Sequence, residues 1–263
     1  MTLLRRLLPD PADLGDPAGA DAEVVRDVLA ELYAYPDPVP PRGWVRANMV
    51  ATLDGSASGP DGLSGCISGP ADRAVFSVLR GLADVVLVGA GTARAEGYRV
   101  PAAKPAFAAR RARLGQPPAP ALAVLSRSGV LPDTLTRPAT RSLVGSAAGS
   151  STGSSAATAH GEVLVLQGGL RQAVAELAGR GLRRILLEGG PGVLGQAVTA
   201  GLLDELCLSL SPLLVGGSGP RIIDGASASA RLRVSHLLDG DGLLLGRWLV
   251  ERTSSAESAP PSA

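Results

Sequence analysis

Three short segments pair glycine with a residue able to donate or accept a hydrogen bond, each where an apolar run gives way to a turn. The sharpest is Val88-Gly89-Ala90-Gly91-Thr92-Ala93-Arg94, which follows the apolar run Val85-Val86-Leu87. Glycine lets backbone approach a ligand closely. The free N–H groups of a helix start suit an anion such as a pyrophosphate, and Thr92 adds a hydroxyl donor. A tight strand-to-helix turn with no ligand accounts for the same residues. Gly89-Ala90-Gly91 lacks the third glycine of the dinucleotide fingerprint, and no Gly-Lys-Ser/Thr ending makes a P-loop.

The second segment is Leu187-Glu188-Gly189-Gly190-Pro191-Gly192. Two such turns at strand ends could face one elongated ligand from two places. Glu188 there could contact substrate or assist a proton transfer, and a capping or solvated glutamate is the plainer alternative. The third segment, Asn48 to Gly55, ends a strand in a polar turn with Asp54 available to hydroxyl or amino groups. An Asx-type turn explains Asp54 equally well.

Other chemistries find no support. His160-x-Glu162 resembles the opening of the zinc deaminase signature, but no Pro-Cys-x-x-Cys follows. No metal site is expected. Neither His160 nor His236 has a nucleophile elbow to serve. Cys66 and Cys207 are too few for a disulfide framework or a thiolate site, which suits a reducing compartment.

The elements that must position these segments alternate between strand and helix. Trp44 to Thr52, Val85 to Val88, Ala121 to Leu125, Arg141 to Val144, Val163 to Leu166, Arg184 to Leu187, Glu205 to Leu210 and Leu243 to Val250 read as strands. Ala71 to Leu82, Gly91 to Ala95, Leu170 to Gly179 and Pro191 to Ala200 read as helices, two with proline at the start. The pattern predicts an α/β fold with a mostly parallel sheet, helices on both faces and an antiparallel edge. Residues 1 to 41 form an N-terminal extension with one helix, about Ala20 to Leu32, packed on the body at 42–252. A Ser/Gly/Ala/Thr tract at 145–161 reads as a mobile loop, and 253–263 as a disordered tail.

With 263 residues, 45% of them hydrophobic, the chain can bury one substantial core. Net charge is +1, so no broad basic field exists to hold nucleic acid. Arg110, Arg111 and Arg113 read as a solvated helix face. Leu3 to Pro9 is too short and broken for a signal peptide or a span, so a soluble cytoplasmic protein is expected.

Taken in order, these motifs resemble the riboflavin-biosynthesis pyrimidine reductase family, from about Trp44 to Val250. The resemblance rests on Thr52-Leu53-Asp54-Gly55, Ile67-Ser68-Gly69, Leu79-Arg80 with Ala83-Asp84, Val88 to Thr92, Glu188 to Pro191, and Leu202 to Glu205 followed by Ser211 to Gly217. It implies a dihydrofolate-reductase-like fold of nine strands, a homodimer, and NADPH as cofactor. It also implies hydride transfer to the sugar carbon of a small-molecule substrate, a ribosylaminopyrimidine phosphate. By the same resemblance, Gly89, Ala90, Gly91, Thr92, Arg94, Gly189 and Gly190 would hold NADPH. Ser126 and Arg127 would meet its adenosine 2′-phosphate. Asp54, Ile67, Ser68, Arg80 and Glu188 would face substrate, with Asp54 and Glu188 catalytic and Arg80 on phosphate. Two departures stand out: Ser56 follows Leu-Asp-Gly where lysine is common, and Glu96-Gly97-Tyr98 replaces Asp-x-Pro. They keep open a dihydrofolate-like or other heterocyclic substrate. A nucleotide-binding module without turnover is a further alternative.

Overall fold

The computed structural model describes residues 3–136, 161–225 and 227–252. Its strands are β1 (Leu4–Leu8), β2 (Ala12–Gly15), β3 (Trp44–Thr52), β4 (Val85–Gly89), β5 (Ala121–Leu125), β6 (Val163–Leu166), β7 (Arg184–Leu187), β8 (Leu203–Ser211), β9 (Leu232–Gly240) and β10 (Leu243–Val250). The helices are α1 (Ala22–Leu32), α2 (Pro70–Leu82), α3 (Ala90–Ala95), α4 (Ala108–Arg113), α5 (Asp133–Thr136), α6 (Leu170–Gly179) and α7 (Pro191–Thr199). One sheet runs β2-β1-β9-β10-β8-β3-β7-β4-β5-β6. Every neighbouring pair from β8 to β6 is parallel. Every pair from β8 outward to β2 is antiparallel.

The parallel strands are apolar on both sides because helices cover both faces. In β4, Val86 and Val88 join the core under α1 and α2, whereas Val85 and Leu87 join the core under α6 and α7. All four are fully buried, and each contributes roughly 1.5–3 kcal/mol. Helix α2 buries Ala71, Val75, Val78, Leu79 and Leu82 as a helical stripe. That packing fixes a second row, Asp72, Phe76 and Arg80, which repeats every fourth residue along the helix.

The structure adds elements that the sequence pattern hides. The N-terminal extension carries two strands as well as its helix, and β1 pairs with β9. Leu4-Arg5-Arg6-Leu7 lacks period-two alternation, so its extended form depends on its neighbour, as strand propensity often does. In β9 the buried positions are His236, Leu238 and Gly240, a row with one apolar side chain among three. Arg247 donates to the carbonyls of Leu32 (2.6 Å), the last residue of α1, and of Ala34 (3.0 Å) just past it, where helix carbonyls lack partners. Arg247 and the buried Arg46 both pair with Glu205.

Arg111 is a correction to the solvated-face reading. It is buried, donating to the carbonyls of Pro117 (2.6 Å), Gly81 (3.0 Å) and Ala83 (2.7 Å). The last two carbonyls lie at the C-terminal end of α2, where a cation is favoured. The strand expected at 141–144, His160, the tract at 145–160 and the tail at 253–263 lie outside the described residues. Among the described residues, no helix is long and apolar enough to cross a membrane.

Candidate active site

Strands β3, β7, β4 and β5 run the same way, so the turns after them share one edge of the sheet, where α/β proteins usually bind ligands. The turn after β4 and the turn after β7 touch. Gly89 N–H donates to the Gly189 carbonyl at 3.0 Å, and a Cβ on Gly190 would sit 2.3 Å from Thr92 Oγ1. Gly189 takes φ +98°, a conformation that favours glycine. A Cβ on Gly91 would meet nothing within 4 Å, so space is open beside that turn.

Next to the paired turns lies a cavity of about 720 Å³, within the usual range for a small-molecule site. Met49, Asp72, Phe76, Arg80, Tyr98 and Glu188 are part of its lining. Arg80 reaches Glu188 from the last turn of α2 in a bidentate pair, Nε to Oε1 at 2.7 Å and Nη2 to Oε2 at 2.6 Å. The Tyr98 hydroxyl donates to Glu188 Oε2 at 2.8 Å. The Arg80 guanidinium lies 4.3 Å from the Phe76 ring centroid and 5.5 Å from that of Tyr98, close enough for attraction to both rings. Burial opposes charge on Arg80, yet its bonds to Glu188 outweigh this and raise its pKa. Burial, then the Glu188 carboxylate, pushes the Tyr98 phenol well above the usual tyrosine range.

Asp72 is the cavity's other buried carboxylate. It accepts from Ser68 Oγ and Ser209 Oγ, both at 2.6 Å. Glu96 also lines the cavity and accepts from Ser64 N–H at 3.1 Å, tying the loop after β3 to the end of α3. Arg73, Arg99 and Lys104 line it without a carboxylate partner among the described residues. Burial, then Arg80, lowers the Lys104 pKa.

Of the residues anticipated from the sequence, Ser68, Arg80, Thr92, Glu188, Gly189 and Gly190 meet at this cavity. Gly89, Ala90 and Gly91 build the adjoining turn without lining it. Arg94 is exposed on α3. Ile67 is buried in the packing before α2. Asp54 lies elsewhere, in a separate recess with Ser56 and Arg221. Its carboxylate accepts from Thr52 Oγ1 and from the N–H groups of Val215 (3.0 Å) and Gly216 (2.6 Å). These bonds, Thr52 first and Gly216 next, hold its pKa below the usual range, and they make Asp54 a tie between two loops. Ser126 and Arg127 follow β5 outside the cavity. Ser126 Oγ donates to the Val130 carbonyl at 3.1 Å, and Arg127 is exposed.

Asp72, Lys104 and Ser209 escaped the sequence reading, and Tyr98 entered it only as part of the departure at Glu96-Gly97-Tyr98. The spacing of Asp72, Phe76 and Arg80 was the available signal for the first. Among the described residues, no group of three or more His, Cys, Asp or Glu is placed to hold a metal.

A mixed sheet with a cleft over the carboxyl ends of its parallel strands is the arrangement of a dihydrofolate-reductase-like α/β oxidoreductase. The chain belongs to the RibD C-terminal domain family, whose model matches residues 43–245. It is 26% identical over 203 residues to the 2,5-diamino-6-ribosylamino-4(3H)-pyrimidinone 5′-phosphate reductase of Archaeoglobus fulgidus, covering 74% of this chain and 93% of that protein. It is 29% identical over 209 residues to the riboflavin biosynthesis protein RibD of Bacillus amyloliquefaciens. That match covers 74% of this chain and 52% of the relative, about half its length. A solved pyrimidine reductase-like protein from Corynebacterium diphtheriae superposes with a TM-score of 0.67 at 25% identity, covering 85% of this chain and 98% of that one.

Proposed function

We propose that this protein is an NADPH-dependent reductase that adds hydride to the ribosyl carbon of a ribosylaminopyrimidine phosphate. The observation that carries this reading is the Arg80–Glu188 pair, set in a cavity beside two touching glycine turns. The turns fit a dinucleotide. They leave open space over Gly91, and the Thr92 hydroxyl has no partner among the described residues. Arg127 is the exposed charge suited to an adenosine 2′-phosphate, since guanidinium matches phosphate geometry.

When bound, NADPH would supply the hydride, as the cofactor carries such chemistry. The chain's own residues position the substrate and fix the charge around it. Glu188, held by three donors, is a fixed negative charge beside the cofactor turns, where positive charge on an open-chain imine carbon would be stabilised. Arg73, Arg99 and Lys104 supply the charge for the substrate phosphate.

A ribosylaminopyrimidine phosphate also fits the cavity volume. The outer face of β8, β9 and β10 supports a homodimer. Leu208, Leu210, Leu237, Leu244 and Trp248 join neither core, and side-by-side apolar residues on a sheet face mark an interaction surface. Cys66 and Cys207 are free thiols, which supports a cytoplasmic location.

A second reading, reduction of a dihydrofolate-like heterocycle, is favoured by Ser56. Ser56 is neutral where the family commonly carries lysine, and its hydroxyl donates to the Ser58 carbonyl at 2.7 Å.

Titration of the purified protein with NADPH, then absorbance at the nicotinamide band after adding the ribosylaminopyrimidine phosphate, tests the proposal. Tight binding with oxidation is expected. Binding without oxidation would move the weight to another substrate, and no binding would defeat the cofactor assignment.

A further inference from the structure

The cavity has two walls of different origin. One is made by the turns after β4 and β7, which the parallel sheet holds directly. The other carries Asp72, Phe76 and Arg80, which ride on α2. Helix α2 belongs to no strand ladder, so its place depends on what packs behind it. That backing includes α1 of the N-terminal extension. Val25, Leu29, Ala30 and Tyr33 share one core with Val75, Val78, Leu79 and Leu82 of α2. A close-packed interior transmits a displacement instead of absorbing it.

The C-terminal end of α1 is pinned to the sheet. Arg247 on β10 donates from Nη1 to the Leu32 carbonyl at 2.6 Å and from Nη2 to the Ala34 carbonyl at 3.0 Å. Nη2 also meets Glu205 on β8 at 2.9 Å, and Glu205 pairs with Arg46 on β3. One guanidinium thus joins the end of α1 to the middle of the sheet. A second tie, Glu31 to Arg110 at 2.6 Å, joins α1 to α4, whose Arg111 holds the carbonyls at the end of α2. Arg247 itself does not line the cavity.

We propose that Arg247 is a positioning residue of the reductase. By fixing the end of α1 it sets α2, and through α2 the seat of Arg80 against Glu188. The kinetic part of the inference rests on the reductase reading above, and its structural part does not.

The test compares wild type with Arg247→Met and Arg247→Lys in the full chain. The methionine removes the pin and leaves Arg46 and Glu205 as a balanced pair, so no buried charge is stranded. A misplacement of about 1 Å costs on the order of 100-fold in rate, so a smaller shift of α2 should lower kcat on the ribosylaminopyrimidine phosphate about tenfold. NADPH Kd, by fluorescence titration, should stay within about twofold, because the turns after β4 and β7 are held apart from α2. Lysine keeps the charge but not the fork and should lower kcat about threefold. Hydrogen exchange is followed by mass spectrometry in all three proteins. In Arg247→Met the amides of α2 should exchange at least about tenfold faster, with those at 85–92 and 187–190 unchanged.

A lower Tm with kcat within about twofold of wild type would make Arg247 a stabilising residue only and overturn the inference. So would a rise in NADPH Kd that matches the fall in kcat, or exchange that quickens in α1 but not in α2. If wild type does not turn over, the reductase reading fails and the exchange pattern decides whether Arg247 sets α2. Quickening confined to α1 and α2 upholds that, and an unchanged α2 overturns it. If Arg247→Met does not fold, Arg247→Lys carries the same comparison, and an unchanged kcat in it overturns the inference.

Discussion

Removing the Tyr98 hydroxyl tests whether Glu188 is held as the structure shows. Tyr98→Phe deletes one of three donors to a carboxylate that is 7% exposed, leaving the bidentate contact with Arg80 intact. A hydrogen bond to a charged group is worth about 1.5–3 kcal/mol. The low end applies because Arg80 still occupies both oxygens, so about 1.5 kcal/mol should be lost. For a chain of this size that lowers Tm by roughly 3–6 °C. The effect should be coupled to Glu188. In a cycle with Glu188→Gln, thermal unfolding should give an interaction of about 1 kcal/mol. Turnover should fall by about tenfold if the freed carboxylate moves by enough to cost 1.4 kcal/mol in the transition state, with NADPH affinity held. Additive losses, with coupling below about 0.3 kcal/mol, would refute the idea that this bond positions Glu188.

Three further outcomes follow from the geometry. Gly190→Ala places a methyl 2.3 Å from Thr92 Oγ1, so the Thr92 side chain must rotate away or the two turns must part. NADPH affinity by fluorescence titration should fall at least about tenfold, with a stability loss of about 1–3 kcal/mol. Arg127→Ala should cut the preference for NADPH over NADH by about 10- to 100-fold, as loss of a charge-assisted bond requires. Burial, then Arg247, pushes the His236 imidazole down to about 4, so between about pH 4 and 6.5 the unfolded chain binds the extra proton. Stability should therefore rise with pH across that window by about 3 kcal/mol and be level above it. Denaturant unfolding of His236→Gln should lack that slope.

Much of the site's frame was legible because it sits where periodicity breaks. The glycine turns after β4 and β7 and the residues Arg80 and Glu188 each follow from an apolar run or a helix with a clear end. What stayed hidden depends on partners far along the chain. Asp72 accepts from Ser209, 137 positions away, and Glu188 accepts from Tyr98, 90 positions away. No local pattern shows such bonds. The partners of Asp54 were hidden for the same reason, because the N–H groups that its carboxylate accepts from belong to Val215 and Gly216. Strands β1 and β9 were missed because β1 repeats its leucines in pairs and β9 buries a histidine, so neither shows clean alternation.

The most direct test of the reductase reading is to follow the hydride itself. NADPH deuterated at the reactive nicotinamide carbon is incubated with the protein and the ribosylaminopyrimidine phosphate, and the product is analysed by mass spectrometry and NMR. One deuterium on the former ribosyl carbon, in a ribityl product, is the predicted result. Cofactor oxidation with no deuterium at that carbon, or a label on the heterocycle, would contradict it.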